Sequence, residues 1–130
     1  MIEIILPGPP QAWTAPKITR NGHSFSPKYQ QKLDHQCLVR KQYFDLPISG
    51  AVRIKLKLEM PIPKSTSKKM LSEIHAGVIP HIKKPDIDNC IKYSLDVIKG
   101  IVILDDNQVN FIACEKIYST DPKVTMTIAW

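Results

Sequence analysis

The stretch that most limits how this chain can fold is AVRIKLKLEMP, residues 51–61. Val52, Ile54, Leu56 and Leu58 fall on one side of an extended chain; Arg53, Lys55, Lys57 and Glu59 fall on the other. Successive side chains of a strand point to opposite faces, so the pattern predicts a half-buried strand with a basic outer face. Its apolar side needs a cover. IEIILPG (2–8) reads as a first strand, ended by Pro and Gly, and VTMTIAW (124–130) as a last, alternating one. QVNFIACEKIY (108–118) reads as another strand, joined to the last by the five-residue loop STDPK as an antiparallel hairpin. IVIL (101–104) is expected to be a short buried strand.

The helices have their own punctuation. Ser26-Pro27 supplies an N-cap and a first-turn proline for a helix reaching about Phe44, with Tyr29, Leu33 and Cys37 as its buried stripe. Ser67 to Gly77 predicts a short helix with a serine cap and a glycine stop. A third helix opens at PDIDN, buries Ile87, Ile91, Leu95 and Ile98, and closes at Gly100. Before them, residues 9–26 form a long loop with a turn at Asn21-Gly22. The order is β-α-β-α-α-β-β-β. It predicts one α+β domain over 1–130, with a mixed or antiparallel sheet flanked by helices.

At 130 residues the chain buries a single core without staples. Cys37, Cys90 and Cys114 are scattered, with no metal-ligand spacing, which argues against zinc and for a reducing, cytoplasmic setting. The first residues lack the basic flank and long apolar run of a signal peptide, and no apolar run approaches the ~20 residues of a membrane span. No membrane partner is expected.

Charge is unevenly shared. The chain carries +6, yet residues 86–106 hold five aspartates against Lys92 and Lys99, a local −3 that leaves +9 elsewhere. A basic body favours an anionic partner, of which nucleic acid is the commonest. Two readings of the acidic stretch stand side by side. Asp86 and Asp88 are helix-start residues and Asp105-Asp106 a turn, all routine structural uses. Alternatively the helix, Gly100 and the following strand fold back, bringing strand end to helix start, and the carboxylates converge on Mg²⁺, which would relieve their repulsion. Lys92, four residues after Asp88, is either its ion-pair partner or a cation serving the site. Asp96 reads as solvated or salt-bridged.

Lys83 and Lys84 abut the acidic motif and read either as a grip on a neighbouring phosphate or as a solvated turn. Lys64, Lys68 and Lys69 offer a salt-dependent, sequence-blind grip. Trp13 reads as a loop anchor, or as a wedge that stacks at opened DNA.

The run Lys84-Pro85-Asp86-Ile87-Asp88-Asn89, then Lys92, Leu95-Asp96 and Asp105-Asp106-Asn107-Gln108-Val109, resembles the core of the RusA-type Holliday junction resolvases. LPGPPQAW (6–13) is similar to that family's opening. The resemblance implies a Mg²⁺-dependent endodeoxyribonuclease (Mn²⁺ as a substitute). Such an enzyme binds four-way, branched DNA as a homodimer and is bacterial or phage-encoded. It assigns metal binding to Asp86, Asp88 and Asp106 and the essential lysine to Lys92. Two departures stand out. Cys90 replaces the more usual leucine and is expected in the core. Trp13-Thr14-Ala15 lacks the basic residue many members have there, leaving DNA contact in this region to Lys17 and Arg20. The rival readings are another metal-dependent DNA phosphodiesterase, such as a flap nuclease, a non-catalytic junction-binding module, and a basic interaction protein whose aspartates are only caps.

Overall fold

The computed structural model describes residues 1–130. Strand β1 (Ile2–Pro7) leads into a loop that carries a small hairpin, β2 (Lys17–Ile18) and β3 (Ser24–Phe25). Gly22, at φ +79°, turns it, as Asn21-Gly22 predicted. Helix α1 (Tyr29–Gln42), strand β4 (Val52–Pro61), helices α2 (Lys68–His75) and α3 (Ile87–Ile98), and strands β5 (Val109–Ser119) and β6 (Lys123–Ala129) follow.

The four long strands form one mixed sheet in the order β1-β6-β4-β5. The α+β expectation holds, but the expected hairpin does not. β6 lies between β1 and β4, antiparallel to both, while β5 runs parallel to β4 at the sheet edge. Burial explains the order. β4 buries Val52, Ile54, Leu56, Leu58 and Met60, more than any other strand, and it is one of the two strands with neighbours on both sides. A parallel β4–β5 pair requires a crossover, and residues 62–108, with α2 and α3, supply it.

IVIL is the second correction. Ile101, Val102 and Ile103 are buried, yet they form a turn whose amides return to Ile98 O. Ile103 makes only isolated bridges, to Ile48 and Lys99. A four-residue apolar run signals burial and does not specify a strand. Gly100, at φ +80°, ends α3 and sends the chain into this turn.

Helices α1 and α3 pack together, and the core is a single cluster of 19 buried residues. In α1 the expected stripe is wrong. Tyr29 and Cys37 are exposed, Val39 is the buried residue, and the helix starts at Tyr29 with no side-chain cap from Ser26. Its last residue, Gln42, protects the β1 edge by bonding both Ile5 N and Ile5 O at 2.8 Å. Helix α2 matches expectation, with Ser67 Oγ accepting from Met70 N. In α3 Cys90 is fully buried, as foreseen; Tyr93, Ser94, Val97 and Ile98 join it, while Ile87 is partly exposed. The remaining sheet face is open and charged, with a groove of about 650 Å³ lined by residues that include Glu3, Lys55, Lys57 and Glu115.

Candidate active site

Helix α3 organises the acidic motif. Asp86 is its N-cap residue, and Asp86 O accepts from Cys90 N. An aspartate here ordinarily uses its side chain to satisfy a first-turn amide. Asp86 makes no such bond, so its carboxylate is uncommitted. Asp88 lies in the first turn, exposed and without a cationic partner. Both stand where the helix dipole favours negative charge.

The Asp88–Lys92 ion pair does not form. Lys92 Nζ instead lies 3.5 Å from the centroid of the Trp13 ring. Trp13 N donates to Asn89 O at 2.9 Å, and Lys28 Nζ donates to Ala12 O. The loop is thereby laid along the first half of α3. Trp13 is the anchor the sequence suggested, and what it holds is Lys92. On the other side, Lys116 Nζ of β5 donates to Lys83 O at 2.7 Å and Pro85 O at 2.9 Å. It pins the segment entering α3, where the Lys84–Pro85 peptide is cis.

The second aspartate pair lies at the far end of the same helix. Lys99, the C-cap residue, places Nζ 3.0 Å from Asp105 Oδ1 and 3.9 Å from Asp106 Oδ1. Asp105 Oδ1 also accepts from Asp106 N, and Asp105 and Gln108 make a reciprocal capping box. Hydrogen bonding with Asp106, then with Lys99, holds the Asp105 carboxyl below the usual carboxylate range. Gln108 is a latch: Oε1 accepts from Leu104 N and Asp105 N, and Nε2 donates to Ile48 O and Gly50 O.

The expected convergence of Asp86, Asp88 and Asp106 within one chain is therefore not found. The twelve residues of α3 separate the two ends by roughly 18 Å, at about 1.5 Å per residue. No three His, Cys, Asp or Glu side chains lie close enough together to hold a metal ion. The turn at 101–104 keeps the second pair at the helix C-terminus, where a strand was expected to carry it back. The Asp86–Asp88 pair by itself suits Mg²⁺, which is commonly held by one or two carboxylates plus water and substrate oxygens.

The expected phosphate-binding residues are all exposed. Lys17 is in β2 and Arg20 in the hairpin turn; Lys64 follows β4, Lys68 and Lys69 open α2, and Lys83 and Lys84 precede α3. None has a carboxylate partner. Asp96 is half-buried and makes no salt bridge. Sequence reasoning missed Lys116 and Lys28, and it named Gln108 in the motif without giving it a role. Nothing local marks the two lysines, because their partners are distant carbonyls. The D-x-x-Q spacing at 105–108 is a capping-box variant and was a usable signal for Gln108. His35 Nδ1 of α1 and Tyr93 O–H of α3 are 2.7 Å apart and tie the two helices together. Burial lowers the His35 pKa and pushes Tyr93 up to about 12, so both stay neutral, as a structural tie.

The domain is thus basic and α+β, with an uncommitted carboxylate pair that Lys83 and Lys84 precede and Lys92 follows in sequence. The family model described as Endodeoxyribonuclease RusA matches residues 7–129. The chain belongs to the RusA endodeoxyribonuclease family. It is also 35% identical over 83 residues to the uncharacterized protein YqaN of Bacillus subtilis (strain 168). That match covers 62% of this chain and 58% of YqaN. No helix is long and apolar enough to cross a membrane.

Proposed function

We propose that this protein is a Mg²⁺-dependent endonuclease that resolves four-way DNA junctions as a homodimer in recombination and repair, inside a bacterial cell or phage-infected host. The observation that carries the reading is the uncommitted pair Asp86 and Asp88 beside Lys92, within a chain of the RusA family. Mg²⁺ bound there would supply a Lewis acid and a source of hydroxide near neutral pH. The chain's own part is to present the two carboxylates, to keep Lys92 on the Trp13 face near developing phosphate charge, and to hold flanking phosphates on Lys83 and Lys84.

The position of Asp106 supports a dimer. A two-fold axis that runs two α3 helices antiparallel sets the Asp86–Asp88 end of one copy against the Asp106 end of the other. Each of two equivalent sites then draws on both chains, and each faces one of two opposed strands. Asp106 is the available member of its pair, since Asp105 is committed to the cap and to Lys99.

The test is Mg²⁺-dependent nicking of a synthetic four-way junction, with linear duplex and flap controls. We expect paired nicks in the junction alone. Preferential cutting of flaps would favour the flap-nuclease alternative, and tight junction binding without cutting would leave a binding module. Mixing Asp86→Asn with Asp106→Asn protein extends the test. Mixed dimers recover one intact site if the site is shared between chains and recover no chemistry if the shared arrangement is wrong.

A further inference from the structure

Beside the N-terminus of α3 lies a cavity of about 230 Å³ with an unusual lining. Five of its ten lining residues are prolines, drawn from the first loop, the end of β4 and the approach to α3. Tyr118 and His81 add aromatic rings, stacked at a tilt with centroids 4.8 Å apart. Lys83 and Lys84 are the only charged residues in the lining. His81 is only 9% exposed, and its Nδ1 has no hydrogen-bond partner. A buried polar atom without a partner is costly, so the site asks for a ligand or a role.

We infer that this cavity receives one unstacked nucleobase of the bound DNA strand, with Lys83 and Lys84 holding the phosphates on either side of it. The inference rests on the nuclease reading above and extends it to a base-contacting subsite. Rigid proline and tyrosine walls offer apolar faces for a planar ring, and stacking on such faces does not depend on pairing. Burial, followed by the positive charges of Lys116 and Lys83, keeps the imidazole of His81 neutral. A neutral imidazole in the lining suits an uncharged planar occupant, whereas a phosphate pocket would favour the imidazolium. Location supports the same occupant. Lys84 and Pro85 line the cavity and directly precede Asp86, so a base held here belongs to a nucleotide next to the carboxylate pair. Unstacking costs less where pairing or stacking is already interrupted, as when a junction opens at its branch point.

The experiment uses full-length protein and four-way junctions in which a single abasic nucleotide is moved, position by position, along the strands flanking the branch. Affinity is measured without added divalent metal, so that nothing is cut. For the wild type we expect one position near the branch to weaken binding by about tenfold, the scale of one lost base stack, while its neighbours change little. Two variants remove the pocket. Pro63→Trp, at an exposed lining residue, plugs it from solvent without touching the core; Tyr118→Ala removes a wall. Both are confirmed as folded by circular dichroism, and in either one the position-specific loss should vanish. A flat abasic profile in the wild type, or an unchanged loss in the plugged variant, overturns the subsite while leaving the nuclease reading intact. A wild-type protein that binds no junction at all overturns both.

Discussion

The two ends of α3 carry the same kind of residue in opposite circumstances. At the N-terminal end, Asp86 and Asp88 are exposed, make no capping bond and have no cation in ion-pair range. At the C-terminal end, Asp105 is tied to Lys99, to Asp106 N and into a capping box with Gln108. The first pair keeps its charge for something outside the chain; in the second, one aspartate is spent on folding and the other is left partly available. Residue type therefore says little about a carboxylate's use. What matters is whether neighbouring amides and ammonium groups have already claimed its oxygens.

Carboxylate substitutions give the largest test of this contrast. Asp86→Asn, Asp88→Asn and Asp106→Asn should each reduce junction cleavage by about three orders of magnitude or more, the scale of removing electrostatic stabilisation from a reacting phosphate. Binding should persist, because the carboxylates repel DNA rather than hold it. Gel-shift and single-turnover assays read the two separately. Asp105→Asn should cut at close to the wild-type rate; if it fails as badly as Asp106→Asn, the division of labour within that pair is wrong.

Lys92 comes next. Lys92→Ala should slow turnover by ~10²–10³, as for one lost donor, with little change in affinity. Trp13→Leu, which leaves the lysine in place without its platform, should cost several-fold, in line with a modest cation–π contact. A Lys92 variant that loses binding and cleavage in parallel would make this residue a plain phosphate contact.

Smaller effects are expected from the basic surface and from the C-terminal pair. Neutralising Lys68 and Lys69 together should flatten the slope of log K against log salt by about one to two units, at ~0.9 per phosphate contact. An unchanged slope would place α2 away from DNA. For Asp105 the carboxyl sits lower in the folded state than in the unfolded chain. Its contribution to stability is then fully present above the ordinary carboxylate pKa of about 4 and is lost as pH falls through the lowered folded value. Asp105→Asn preserves the cap and removes the charge. It should lower the melting temperature at pH 7, and the gap from wild type should narrow towards pH 2. A gap that is constant with pH would show that the ion pair with Lys99 contributes nothing.

Local patterns carried much of this protein. The strict alternation of 52–58 reports its own burial, because a strand's two faces are written into successive residues. Ser67 and Gly77 mark α2, and Asp86 and Gly100 bracket α3, because caps and left-handed stops depend on one or two residues. The acidic motif, its Lys92 and the family were legible for the same reason: they lie in one continuous run. Tertiary structure decided what depends on partners distant in sequence. It inserted β6 between β1 and β4, since strand order follows from which apolar faces compete for the centre of the sheet. It made 101–104 a turn, because burial alone leaves backbone conformation open. Above all, it put Asp106 at the opposite end of α3 from Asp86 and Asp88 and put Lys92 on Trp13 rather than on Asp88. Spacing along a chain sets which side chains are near one another only within a turn or two of helix; beyond that, packing and the reach of Lys99, Lys116 and Gln108 decide.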